Sequence, residues 1–173
     1  MDTYDAIVTK LDVRQFASKK VSGETMWKVL EAARLTGSAM NTQNWRFILV
    51  KDRANLKKLA GDSTTGKWIE GADFAIIVLT DPALPGHPLD AGRVVQDMEL
   101  AAWDFGVASG LYVGVKQDQL QKDFAIPANL KISAILGFGY PKEKIIGKKN
   151  RKPLEEIAFS ERHGEKLDIK SLK

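Results

Sequence analysis

The apolar residues of this chain recur with two different periods, and the changes of period mark out its elements. Met26, Val29, Leu30 and Ala33 follow helical spacing. Ser22 stands where an N-cap is needed, Val21 before it can meet Met26 as a hydrophobic staple, and Gly37 is placed to end the helix. Residues 47–50 read as a strand and residues 56–60 as helix. Residues 74–79 are apolar without interruption between Gly71 and Pro82, which predicts a central strand covered on both faces. Residues 111–115 and 130–138 supply two more strands, with a helix over 117–125 between them.

The longest helix is predicted over residues 90–107. Ala91, Val94, Val95, Met98, Ala102 and Phe105 form one apolar stripe, yet Leu100 and Trp103 lie on the other side. A helix apolar on two faces must be buried on two faces, so one is expected on the sheet and the other in a dimer interface. Helices and strands alternate without a regular strand-helix-strand cadence, and the expected class is α+β: a central mixed or antiparallel sheet layered by helices. At 173 residues, one domain is expected, with residues 1–147 as its core and residues 148–173 as a C-terminal arm. The arm has little periodicity. Its 26 residues could extend to ~85 Å, enough to wrap a partner roughly 40 Å across, and exchange of the arm in a homodimer is expected.

Charge narrows the function. Residues 1–140 carry 16 basic and 16 acidic side chains, while residues 141–173 carry 10 and 6, so the net charge of +4 lies wholly in the last 33 residues. A neutral body with a basic tail argues against a duplex-binding fold and fits a small anionic ligand better. The chain has no cysteine and only two isolated histidines, His87 and His163. Thiolate nucleophiles and His or Cys metal clusters are therefore excluded. No apolar run approaches the ~18 residues of a membrane span. The first residues are acidic where a secretory signal is basic, and a cytoplasmic protein is expected.

Two familiar motifs fail on inspection. Gly61-Asp62-Ser63-Thr64-Thr65-Gly66-Lys67 matches seven positions of a phosphate loop, but Trp68 stands where the magnesium-binding hydroxyl belongs, and helix rather than strand precedes it. No GxGxxG is present. The four tryptophans, Trp27, Trp45, Trp68 and Trp103, lie among apolar neighbours rather than in a basic stripe, so core or interface packing is expected.

Three polar segments remain: Lys10-Leu11-Asp12-Val13-Arg14-Gln15-Phe16, then Gly37-Ser38-Ala39-Met40-Asn41-Thr42-Gln43-Asn44-Trp45, and Lys148-Lys149-Asn150-Arg151-Lys152-Pro153. Each alone reads as a solvated end or a turn capped by Ser38. Together, and in this order, they resemble the nitroreductase family of FMN-dependent oxidoreductases. Gln96-Asp97-Met98-Glu99-Leu100-Ala101-Ala102 is similar to the family's dimer helix, Gly106-Val107-Ala108-Ser109-Gly110-Leu111 to the strand that enters its flavin pocket, and Leu136-Gly137-Phe138-Gly139-Tyr140-Pro141 to its last core strand and turn.

The resemblance implies a homodimer with FMN at the subunit interface. Lys10 and Arg14, joined by Lys149 and Arg151 from the tail, would meet the phosphate, whose nearly two negative charges suit charge-assisted hydrogen bonds. Asn41 and Gln43 would match the polar edge of the ring, Ser38 would hold the turn or touch the cofactor, and Leu111, Tyr112, Val113 and Gly114 would border the flavin. NADH or NADPH would reduce it and a small organic acceptor would reoxidise it, by a ping-pong mechanism in which no side chain acts as catalytic acid, base or nucleophile. Two features depart from the family: Asp12 stands where a hydroxyl is common, and the chain is shorter than many members, which carry a further helical excursion over the flavin. The same fold also accommodates flavin-fragmenting and dehalogenating chemistry. From another class, a flavin-free basic binding module is the alternative.

Overall fold

Strand β2, Phe74–Thr80, shows why its sequence has no polar position. Phe74, Ile76 and Val78 point into one apolar cluster and Ala75, Ile77 and Leu79 into another, one on each face of the sheet. The computed structural model, which describes residues 1–172, places this strand second in a four-stranded sheet with β1, Trp45–Val50, then β4, Lys131–Gly139, and β3, Ala108–Tyr112, in the order β1-β2-β4-β3. All pairings are antiparallel, which settles the choice between mixed and antiparallel. Burying such side chains contributes about 1.5–3 kcal/mol each, and the stacked rings of Phe74 and Phe138, 4.8 Å apart, sit at the centre of one cluster.

Helices cover both faces. Helix α2, Gly23–Leu35, and helix α4, His87–Asp104, pack together over one face through Val29, Ala33, Val94, Met98 and Ala102. Helix α3, Arg53–Gly61, and helix α5, Gln117–Asp123, cover the other through Leu56, Leu59 and Leu120. Ser22 caps α2 as its sequence predicts, its hydroxyl accepting from Thr25 N at 3.1 Å. The cap at the other end is Thr36 rather than Gly37. Gly37 lies under the Arg93 guanidinium, where a Cβ would come within 2.7 Å of Nη2.

Several boundaries differ from expectation for local reasons. Helix α4 ends at Asp104, because Gly106 takes a left-handed conformation (φ 69°) and turns the chain into β3 three residues earlier than expected. Residues 113–115 lie beyond that strand and are tied instead to residues 63–64, by a bridge between Val115 and Ser63 and by Thr64 N donating to Gly114 O. Helix α1, Thr3–Thr9, was not legible in the sequence; it is short, capped by Asp2, and buries only Ala6. Trp45 is core, but Trp27 is 60% exposed and Trp103 half-buried, its indole donating to Thr9 Oγ1 at 2.9 Å. Between Val78 and Leu79 the register of β2 on β4 skips Ser133, a bulge that directs the Ser133 hydroxyl to Thr80 Oγ1 at 2.7 Å.

Beyond residue 147 the chain lies mostly on the surface, with short 3-10 turns at Leu154–Glu156 and Ile169–Leu172. Lys173, the last residue of the expected arm, lies outside the described residues. No helix among the described residues is long and apolar enough to cross a membrane.

Candidate functional site

The two ends of the chain meet at the edge of the sheet. β3 is the edge strand, and residues 10–16 run beside it: Asp12 bridges Ser109, and Val13 N donates to Ser109 O at 2.8 Å. Gly110 makes this approach possible, because a Cβ there would stand 2.6 Å from Val13 O. On the other side of the same segment the chain returns from β4. Ala17 N donates to Tyr140 O at 2.8 Å, Lys142 N to Gln15 O at 3.1 Å, Leu11 touches Gly147, and the Lys149 ammonium donates to Ile7 O. The sequence spacing between the two ends hides this antiparallel seam; only the closing of the sheet creates it.

The seam's charges are arranged unequally. Lys10, expected to face a ligand, is 7% exposed, and its ammonium turns to Glu99 on α4 at 2.8 Å and to Asp12 at 2.5 Å. Glu99 is also buried and accepts from the Ser109 hydroxyl at 2.9 Å. Arg14 is exposed, its guanidinium 5.9 Å over the Trp68 ring. It lines a cleft of about 440 Å³ with Asp12, Gln15, Glu143 and Ile145. A second cleft, about 560 Å³, lies between Leu11 and Trp103 on one side and Lys148 and Lys149 on the other. Arg151 is exposed and donates to the carbonyl of its neighbour Asn150 at 2.8 Å.

The segment carrying the amides is a strained loop. Met40, Asn41 and Gln43 all have φ near 50°, a region that non-glycine residues occupy at a cost of about 1–3 kcal/mol each. Ser38 does not cap the following turn; its hydroxyl crosses the loop and accepts from Gln43 N at 2.9 Å. Asp90, fully buried in the first turn of α4, accepts from Ala39 N and from Asn44 Nδ2 at 3.2 Å. The loop thus holds the Asn41 and Gln43 side chains exposed at the surface.

The four residues expected to border a ring divide by strand alternation. Leu111 packs towards α4 and Val113 is 66% exposed. Tyr112 points the other way: its ring is buried edge-on to Trp68 and its hydroxyl donates to Leu59 O at 3.3 Å. Burial and the nearby Asp62 carboxylate both hold that phenol well above its ordinary range. Gly114 has a close neighbour within the chain. A Cβ there would meet Thr64 Oγ1 at 2.2 Å, and Thr64 N donates to Gly114 O at 2.7 Å. The segment that mimics a phosphate loop is therefore tied down against this strand's end, with Ser63 Oγ accepting from Gly66 N.

Beside Leu111 and Val113 a further cleft of about 290 Å³ has mostly apolar walls, including Ala91 and Val95. Two of its polar groups are linked through Thr80: His87 Nδ1 lies 3.2 Å from Thr80 Oγ1, which meets Ser133. Among the described residues no group of three or more acidic or histidine side chains is placed to hold a metal. Sequence reasoning missed Glu99 and Asp90 as organisers. The signal was present, since each sits at helical spacing on the apolar stripe of α4 where a carboxylate needs a buried partner.

A model of the Nitroreductase family matches residues 7–83. A protein of Archaeoglobus fulgidus, provisionally named NADH dehydrogenase/NAD(P)H nitroreductase, is 33% identical over 148 residues, covering 80% of this chain and 84% of that one. A crystal structure from Bacteroides thetaiotaomicron under the same provisional name superposes with a TM-score of 0.84 at 26% identity, over 91% of this chain and 96% of that one. An FMN-dependent nitroreductase from Clostridium difficile superposes with a TM-score of 0.81 over 87% of this chain and 95% of that one; at 21% identity this is a likeness of fold alone.

Proposed function

The chain belongs to the nitroreductase family of NAD(P)H-dependent flavin oxidoreductases, and from that premise we propose that two copies assemble around FMN held at the seam between the chain's ends. The observation that carries this reading is the seam itself, where the Arg14 segment runs beside β3 and the returning chain runs along its other side, with Arg14 in one cleft of the seam and Lys148 and Lys149 in another. Residues 1–147 would form the core, and residues 148–173 an arm that crosses to the neighbouring subunit. Exposed Trp27, Leu35 and Leu89 on α2 and α4 support such an assembly, as solvent is a poor place for side chains of that size.

Arg14, Lys149 and Arg151 would grip the phosphate through charge-assisted hydrogen bonds. Lys10 would join them only past Asp12, which now caps its ammonium. Asn41 and Gln43, presented by the loop that Ser38 and Asp90 hold, would read the ring's polar edge. Leu111, Val113 and the backbone of Tyr112 and Gly114 would border the ring. FMN, when bound, supplies the redox step, taking hydride from NADH or NADPH and passing electrons to a small organic acceptor that follows the nicotinamide into the same cleft. The apolar cleft beside Leu111 and Val113 suits a small planar acceptor.

The test is a visible spectrum of the purified protein. Yellow flavin absorbance that bleaches on adding NADH or NADPH and returns on adding a nitroaromatic or quinone supports this reading. Bound flavin that neither nicotinamide reduces points to fragmenting or dehalogenating chemistry. A colourless protein that takes up no added FMN but retards DNA in a gel overturns it in favour of a basic binding module.

A further inference from the structure

We propose that Asp12 sets how strongly this protein discriminates FMN from riboflavin, by competing with the phosphate for the Lys10 ammonium. The inference rests on the flavin reading above and concerns the chain's own charges. Lys10 lies between two carboxylates of different character. Glu99, with its side chain 4% exposed, faces it from the interior; Asp12, 49% exposed, faces it from the surface. The inner pair already neutralises Lys10. Asp12 therefore adds a negative charge that no buried group requires, at the opening through which the Lys10 N–H would reach a ligand.

The surroundings do not compensate. Asp12 lines the cleft beside Arg14, where Glu143 supplies a second carboxylate against that single guanidinium. A dianion entering there meets two like charges and one opposite charge, whereas the uncharged end of riboflavin meets no such opposition. The phosphate must displace Asp12 from Lys10 or be held without Lys10, by Arg14 and the tail cations. Either way the carboxylate lowers the affinity for FMN and leaves that for riboflavin unaltered. Replacing it with a hydroxyl would release one N–H of Lys10 and remove the repulsion.

The experiment is a fluorescence titration of the apoprotein with FMN and, separately, with riboflavin, using the wild type, Asp12→Ser and Asp12→Asn. The expected result is FMN binding roughly tenfold or more tighter in both variants, the effect of about one unit charge facing a dianion at contact in a solvated cleft, with riboflavin binding unaltered. The gain should shrink as salt is raised. Two variants guard against loss of folding in one of them, and a thermal melt of each identifies it. If FMN and riboflavin affinities change together, or neither changes, while the wild type binds flavin, Asp12 has no such role and the flavin reading stands. If neither flavin binds to any form, the flavin reading falls and this inference falls with it.

Discussion

Replacing Glu99 by glutamine tests the organisation of the seam most directly. The side chain keeps its shape and its place beside Ser109, but the Lys10 ammonium loses its buried counter-charge and retains only the half-exposed Asp12. Removing one partner of a buried ion pair typically costs 3–5 kcal/mol, because the remaining charge stays desolvated. Asp12 still compensates in part, so about 2–3 kcal/mol is expected here. For a domain of this size each kcal/mol lowers the melting temperature by roughly 2–4 °C, so a fall of roughly 4–12 °C should appear in a thermal melt at fixed protein concentration. Urea unfolding would give the same difference as a free energy. The double variant Lys10→Met, Glu99→Leu removes both charges and should recover most of the loss, as apolar pairs commonly replace buried ion pairs without penalty. A Glu99→Gln protein within 0.5 kcal/mol of wild type (~0.5, the range of neutral surface changes), or a double variant no better than the single, would refute the idea that this buried pair anchors residues 10–16 to α4.

Asp90→Ala should cost about 2–4 kcal/mol, since it strands Ala39 N and the Asn44 amide and frees the strained loop; the check is urea unfolding together with faster hydrogen exchange at residues 39–44. Tyr112 keeps its proton in the folded protein at pH values where an unfolded tyrosine, with its pKa near ~10, would lose it. The folded state then binds more protons than the unfolded one, so stability falls as pH rises above about 10. Tyr112→Phe should flatten that alkaline decline in melts taken across the range, and an unaltered slope would show that another group causes it. Arg151→Ala should weaken FMN binding in a fluorescence titration, whereas Lys173→Ala should not; equal affinities would remove the tail from the site.

The α2 cap, the central strand and the inward stripe of α4 were legible because each rests on a local rule: a hydroxyl before a turn of helix, an uninterrupted apolar run, a repeat of three and four. Ser22, residues 74–79 and the Ala91, Val94 and Met98 stripe carry those rules in their own spacing. The nitroreductase membership was legible too, through the order of three polar segments. The direction in which each polar side chain points was not. The expected ligand Lys10 turns inward because Glu99, 89 positions away and carried on another element, waits there. Tyr112 faces the core because the alternation of β3 is set by its pairing with β4, and Gly114 is needed for Thr64 rather than for a ring alone. Sequence spacing determines which residues share a face of one element; only the packing of elements on one another decides which charges meet, because an ion pair depends on distance in space and is indifferent to distance along the chain.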